Sequence, residues 1–283
     1  MRALTVLATG PLALVQDLGR PGNGHLGVPP SGALDQPSLR LANRLVGNPE
    51  SAAGIEMVLG GLSVRAEASC TVAITGPQVR VSPGGSHTPV HLKAGDVLTV
   101  GSPDTGLRCY LAVSGGVAVE PELGSRATDV LSGIGPAPLS TGDVLPLGSP
   151  SGLPVGADEL PPVRALADLV IPVVPGPRDD WFDDATAQLA AGRWKVSPES
   201  NRVGVRLIGT ALRRVPSYQD VELASEGLVT GAIQVRPNGL PVVFLADHPT
   251  TGGYPVIAVV APQALPLLGQ ARPGVRVHFR PMG

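Results

Sequence analysis

The amino-acid sequence predicts a mainly β fold with few helices, divided into two parts. Three observations carry that expectation. Short runs of Val, Leu and Ile recur along the chain, and several alternate with a period of two, the spacing of a half-buried strand. The 37 glycines and 31 prolines punctuate these runs without a repeat period, as tight turns between short strands require. The segment GSPSGLPVGADELPPVRALAD, residues 148–168, concentrates Pro, Gly and acidic side chains, the composition of a connection between compact parts. It sets the expected domains at residues 1–160 and 161–283.

Taken in order, the strands of the first part read as ALTVLA, LALVQD, GIEMVL, LSVRAE, CTVAIT, QVRVS, VHLKAGDVLTV, RCYLAVSGGVAV and GDVLPLG. Those of the second read as LVIPVVPG, RWKVS, GVRLIG, GLVTGAIQV, LPVVFLA, YPVIAVV and GVRVHFR. The opening MRALTVLATGPLALVQD reads as two strands about Gly10-Pro11, because that turn splits the apolar run before a secretion signal can form. The first helix is expected at 36–46. Asp35 is its N-cap, Pro37 is tolerated in the first turn, and Gly47 supplies the left-handed closing residue. A second helix is expected from Trp181 to Ala191, begun by Asp179 or Asp180, and a third from Pro262 to near Gln270. ITGPQVRVSPGG (74–85) and VTGAIQVRPNG (229–239) echo each other. Tandem duplication and coincidence in a Gly/Pro/Val-rich chain both explain the echo.

Composition narrows the function. Hydrophobic residues make up 43% and charged residues 16% of the chain, the balance of a globular protein. A net charge of −2, no basic stripe and 3% aromatics argue against nucleic-acid binding. No apolar stretch approaches the roughly 20 residues of a membrane helix. Cys70 and Cys109 are the two cysteines, both inside strand-like runs. They are expected as buried reduced thiols, consistent with a cytoplasmic location.

Several motifs fail their structural context. GNGHLG (22–27) matches a dinucleotide fingerprint in letters, but prolines flank it and no helix can begin there. His87 and His91 have a zinc-pair spacing interrupted by Pro89, with no third ligand in sequence, so no metal is expected. Ser114 lacks the preceding glycine of a nucleophile elbow.

Two clusters survive. The first, VQDLGRPGNGHLGVPPSGALD (15–35), sets Gln16, Asp17, Arg20, His25, Ser31 and Asp35 in a long Gly/Pro loop. Ordered loops of that length are usually functional. The second joins SPESNRVGVRL (197–207), ASEGLVTGAIQ (224–234) and ADHPTTGGYP (246–255). Arg202 and Arg206 offer planar forks for a substrate carboxylate. Pairing with Glu222, Glu226 or Asp247 is the alternative use of those forks. Asp247, His248 and Glu226 are the candidate acid/base groups, His248 because imidazole titrates near neutrality. Asn201, Gln234, Thr251 and Tyr254 complete the expected substrate-binding set. Gly252 and Gly253 join it as bare backbone positions whose amides can face an oxyanion.

The stretches VQDLGRPGNGHLGVPPSGALD, LANRLVGNPESAAGIEMVLGG, YLAVSGG, LGSRAT, SPESNRVGVRL, SEGLVTGAIQVRPNGLPVVFLADHPTTGGYP and PGVRVHF together resemble the biotin-dependent carboxyltransferase-like family, also labelled allophanate hydrolase subunit 2 or KipA. The likeness covers essentially the whole chain. It implies two tandem cyclophilin-like β-barrels. It implies the third component of a 5-oxoprolinase, an enzyme that cleaves 5-oxo-L-proline to L-glutamate using ATP. The implied partners are the other two components, one a KipI-type chain and one a LamB/YcsF-type chain. Two other roles follow from the family: the carboxyltransferase component of a biotin-dependent urea or amide carboxylase, and a regulatory protein that binds a KipI-like kinase inhibitor. None of the three methionines precedes a lysine, so no biotin attachment is expected on this chain.

Overall fold

The computed structural model describes residues 2–155 and 168–282, which fall into two compact units. Residues 2–20 and 31–155 form the first, and residues 21–30 cluster with 168–282 in the second. The expected boundary between residues 160 and 161 lies outside the described residues. The fold is mainly β with three short α-helices, one closed seven-strand barrel and open sheets.

The first unit contains β1 (Ala3–Thr9), β2 (Leu12–Gln16), α1 (Gln36–Leu45), β3 (Gly54–Val58), β4 (Leu62–Ala66), β5 (Cys70–Thr75), β6 (Val81–Ser82), β7 (Val90–Leu92), β8 (Val97–Val100), β9 (Arg108–Val113) and β10 (Val144–Pro146). Two open five-stranded sheets result, ordered β10-β1-β4-β8-β6 and β2-β3-β9-β5-β7. No ring closes among the described residues of this unit. Every second residue points into a shared core: Leu4 and Val6, Ile55 and Met57, Leu62 and Val64, Val72 and Ile74, Leu98 and Val100, Leu111 and Val113. Cys70 and Cys109 lie in that core as free thiols. Burial pushes the Cys70 thiol pKa up.

The chain changes sheet at every step except β2–β3, and glycines hold the corners β1–β2, β3–β4 and β8–β9 together. A Cβ at Gly10, whose φ is +66°, would stand 2.0 Å from the Gly60 carbonyl oxygen. One at Gly60, φ +67°, would stand 2.0 Å from that of Gly101. Neither the space nor the backbone conformation admits a side chain.

Helix α1 closes the outer face of the second sheet with Leu39, Ala42 and Leu45 against Ala73, Tyr110 and Ala112. Its cap is as expected: Asp35 Oδ1 accepts from Ser38 N at 3.1 Å. Gly47 takes φ +76° just past its end.

The second unit contains β11 (Asp168–Pro175), α2 (Ala185–Ala191), β12 (Trp194–Val196), β13 (Gly204–Ile208), β14 (Glu226–Gly227), β15 (Ala232–Val235), β16 (Pro241–Phe244), β17 (Thr251–Gly252), β18 (Val256–Val260), α3 (Leu265–Gly269) and β19 (Arg276–Pro281). Seven strands close a barrel in the order β11-β18-β15-β16-β13-β12-β19, sealed by the parallel pair β11–β19. Closure leaves no exposed edge in the ring. Val173, Val196, Leu207, Ile233, Val243, Ile257 and Val277 alternate inward. Strands β14 and β17 form a separate two-stranded ribbon.

Two expected helices are shorter than predicted. Asp179–Trp181 is a single 3-10 turn, and α2 starts at Ala185 with Asp184 as its cap. The Trp181 ring is buried and stacks on Tyr218 at 4.5 Å, which holds that turn away from the helix path. Pro262–Ala264 is likewise a 3-10 turn leading into α3. The echoing segments do not occupy equivalent elements. Gln78–Arg80 lies outside the strands, whereas Gln234 and Val235 lie in β15.

Candidate functional site

In the second unit the three predicted segments meet at one end of the barrel. The ladder β13–β16 runs on past its last pair, with Leu245 N donating to Val203 O (2.9 Å) and Asp247 N to Arg202 O (3.2 Å). That continuation sets Arg202 beside Asp247. Arg202 Nε and Nη2 donate to Asp247 Oδ2 and Oδ1 at 2.8 and 2.9 Å, with side chains only 2% and 0% exposed. The two-pronged geometry is the strongest form of this pair. A substrate carboxylate would therefore compete with Asp247 for this fork.

His248 follows directly and is 3% exposed. Its Nδ1 lies 2.7 Å from the Pro249 carbonyl oxygen, a contact that assigns the proton to Nδ1. Its ring leans on Phe244 at 6.1 Å. Phe244 packs with Leu228, Ala232 and Val256. Those residues tie His248 to the ribbon, where Glu226 faces Gly252 and Gly227 faces Thr251.

Gly252 lies close under two side-chain ends. A Cβ there would stand 2.6 Å from Gln234 Nε2 and 2.9 Å from Leu228 Cδ1. Gln234 is buried and donates to the Tyr254 carbonyl at 2.9 Å. Glu226 takes a two-pronged pair from Arg178, through Nε (3.2 Å) and Nη2. That guanidinium holds the Glu226 carboxyl below the usual range. Thr251 and Tyr254 are exposed, and Gly253 lies beside them in the same turn.

The remaining predicted residues of this half are local. Asn201 Oδ1 accepts from Val203 N at 2.9 Å and Gly204 N at 3.3 Å, shaping the entry to β13. Arg206 faces out, 3.6 Å from Glu199. His25 is exposed on the 3-10 turn Gly24–Leu26, with Nδ1 3.2 Å from Gly22 O.

In the first unit the other predicted residues fasten the segment 122–129. Gln16 Nε2 and Ser31 Oγ both donate to Thr128 O, at 2.8 and 3.1 Å. Asp17 accepts from Gly19 N (2.7 Å), Ser125 Oγ (2.6 Å) and Arg126 N (2.7 Å). Arg20 donates to Glu122 O and Ala127 O. Asp35 caps α1.

Sequence reading missed the partners of this cluster, Ser125 and Thr128, both buried in the LGSRAT stretch, and the buried Asp129 that follows it and accepts from Leu131 N and Ser132. It also missed Glu56, 1% exposed beneath α1. Glu56 accepts from Tyr110 Oη (2.8 Å) and Leu34 N (3.0 Å), and lies 3.4 Å from Arg108 Nε. Burial first, then the Glu56 charge, pushes the Tyr110 hydroxyl well above its ordinary pKa. The available signal was a carboxylate in the middle of the strand run GIEMVL.

A cavity of about 540 Å³ in the first unit is lined by residues between Gln78 and Gly101. One of about 580 Å³ in the second lies beside β12 and β19. Neither is lined by the predicted site residues. Among the described residues no three His, Cys, Asp or Glu side chains are grouped to hold a metal. No helix among them is long and apolar enough to cross a membrane.

Comparison with known proteins places these features in a family. Residues 26–281 match the carboxyltransferase domain, subdomain A and B. The chain is 40% identical to the C component of the 5-oxoprolinase of Escherichia coli, covering 98% of this chain and 90% of that protein. It is 35% identical to the urea amidolyase of Lachancea kluyveri, covering 99% of this chain but 17% of that one. The crystal structure of the Kluyveromyces lactis urea carboxylase superposes with a TM-score of 0.91 at 34% identity, over 99% of this chain and 27% of that one. The chain thus spans most of the bacterial relative and a small share of the fungal enzymes. It is a homologue of the 5-oxoprolinase C component, and it belongs to the carboxyltransferase domain, subdomain A and B, family.

Proposed function

We propose that this chain acts in the cytoplasm as the C component of an ATP-dependent 5-oxoprolinase that opens 5-oxo-L-proline to L-glutamate, active only with its partner chains. One observation carries the reading: the match to the bacterial relative runs end to end, over 98% and 90% of the two chains. In the same reading both units are of the cyclophilin-like class, the first opened into two sheets and the second closed as a barrel, residues 1–160 and 161–283 are the domains, and the partners are a KipI-type and a LamB/YcsF-type chain.

The chemistry of the second unit suits a cyclic amide. Opening it requires donors on the amide oxygen and a proton for the leaving nitrogen. His248 is the acid/base group, and the buried Arg202–Asp247 pair fixes the turn that presents it. Glu226 stands on the ribbon beside Thr251 and Gly252, with Gln234, Gly253 and Tyr254 forming the adjoining polar wall. Asn201, Arg206 and His25 shape the surface of the second unit on which substrate and partners are received. Within the first unit by itself, Gln16, Asp17, Arg20, Ser31 and Asp35 act from below the surface, by fixing the loops that a substrate or partner would meet. In this reading ATP is used by the complex. The candidate site does not fit it, because Arg178 and Arg202 are each matched to a carboxylate, and no step here runs through the nucleotide.

The test is reconstitution. Mixing the three chains should give 5-oxoproline-dependent glutamate release and ATP hydrolysis, lost when this chain is left out. His248→Ala should lower turnover by about 10²-fold, the usual contribution of a general acid or base, without loss of complex assembly. Turnover that proceeds unchanged without the chain would defeat the proposal. A requirement for biotin and a carboxylated product would favour the carboxyltransferase reading, which the urea amidolyase relatives support.

A further inference from the structure

We propose that the outer face of the second unit carries a phosphate-binding site between β12 and β19, separate from the residues assigned to amide chemistry. The strands set the site. In the antiparallel pair β12–β19, Lys195 stands opposite Arg276 and Trp194 opposite Val277. Continuing that register by one residue sets Arg193 opposite His278. Trp194 and Val277 point inward and are buried, so the four polar side chains share the outer face.

Like charges directly opposite one another destabilise a strand pair. Here Lys195 faces Arg276, and the other cross-strand neighbour of Lys195 is Ile208, which offers no carboxylate. One acid enters the group: Asp168 on β11, opposite Arg276 and paired with it through Nε and through Nη2 at 2.8 Å. Arg193 and Lys195 remain as cations beside the His278 imidazole. The six residues line a cavity of about 580 Å³.

The spacing selects the ligand. Neighbours across a strand pair stand roughly 5 Å apart and alternate residues along a strand roughly 7 Å apart. Three donors, Arg193, Lys195 and His278, at corners of such a rectangle, with Arg276 held to Asp168 at the fourth, match two linked tetrahedral phosphoryl groups better than one planar carboxylate. The one aromatic in the lining, Trp194, is 1% exposed, and its Nε1 donates to Leu189 O at 2.8 Å. It therefore presents no face for a base to stack on. The ligand class is an oligophosphate recognised through its phosphoryl oxygens.

Titrating the full chain with inorganic pyrophosphate by calorimetry tests this without turnover or partner chains, so its outcome is independent of the reconstitution assay. One saturable site per chain is expected. Lys195→Ala and Arg193→Ala should each weaken it at least about fivefold, the loss of one charge-assisted hydrogen bond. Lys93→Ala, which removes an exposed charge from the first unit, should change it by less than about twofold. Arg193 and Lys195 are both away from the core, and an unchanged melting temperature will verify that their variants fold. Absence of saturable binding, an equal loss in Lys93→Ala, or citrate binding as tightly as pyrophosphate would each overturn the proposal.

Discussion

The two units treat buried charge differently. In the first, the buried carboxylates are used chiefly on backbone amides and hydroxyls, although Glu56 also has Arg108 Nε at 3.4 Å and Glu50 and Glu67 pair with arginines at the surface. Asp17 gathers Gly19, Ser125 and Arg126, Asp129 gathers Leu131 and Ser132, and Glu56 gathers Leu34 and Tyr110. In the second, carboxylates are matched to guanidinium groups, Asp247 to Arg202 inside and Glu226 to Arg178 at the surface. Amide-bound carboxylates fix loops, which is the role of a scaffold. Carboxylate–arginine pairs fix one side chain against another while leaving the neighbouring turn, here His248 to Tyr254, to present its groups.

The largest effect that would sharpen this contrast is expected at Asp247. Asp247→Ala strands a buried guanidinium and should destabilise the second unit by about 3–5 kcal/mol. Arg202→Met with Asp247→Leu should cost much less, because no unpaired charge remains buried. Urea unfolding of both variants checks this, and equal losses would show that the pair acts through packing alone. Glu56→Ala should destabilise the first unit by about 3 kcal/mol by leaving Tyr110 Oη and Leu34 N without their acceptor. A smaller loss would mean that the amides find other acceptors. Asp35→Ala removes the cap of α1 and should cost about 1 kcal/mol, readable as a modest fall in melting temperature.

The smallest effect is expected at Glu226, at the surface. Arg178 lowers its carboxyl pKa in the folded chain. The pair therefore contributes above the pKa of the unfolded carboxyl, and that contribution is lost as pH falls through the lower folded value. Glu226→Gln should flatten the acid limb of the stability–pH profile and leave neutral stability almost unchanged. A large loss at neutral pH would place this surface pair in the same class as Arg202–Asp247 and erase the distinction between them.

Much of the fold was legible because local chemistry was consistent with it. LALVQD, CTVAIT and YPVIAVV each became strands, and Asp35 and Gly47 bounded α1 as their side-chain chemistry dictates. Legibility failed where a distant side chain decided the outcome. Trp181 stacks on Tyr218 from a separate segment of the chain, and the helix expected from Trp181 begins only at Ala185. Glu56 looks like a misplaced charge in GIEMVL until Tyr110, from another strand, closes over it. The setting of Gly252 is equally hidden in the sequence. A loop glycine suggests free backbone amides, yet here it lies close under the side-chain ends of Gln234 and Leu228.

By itself the sequence determined the β character, the turn positions and the residue types gathered at each candidate site, because strand period, glycine freedom and helix capping act over a few residues. The tertiary structure alone decided which strands closed into a ring, that Arg202 would be bound to Asp247, and that Lys195 would face Arg276 across the strand pair. Those outcomes depend on register and burial between segments tens of residues apart, and no local preference encodes which charge will meet which.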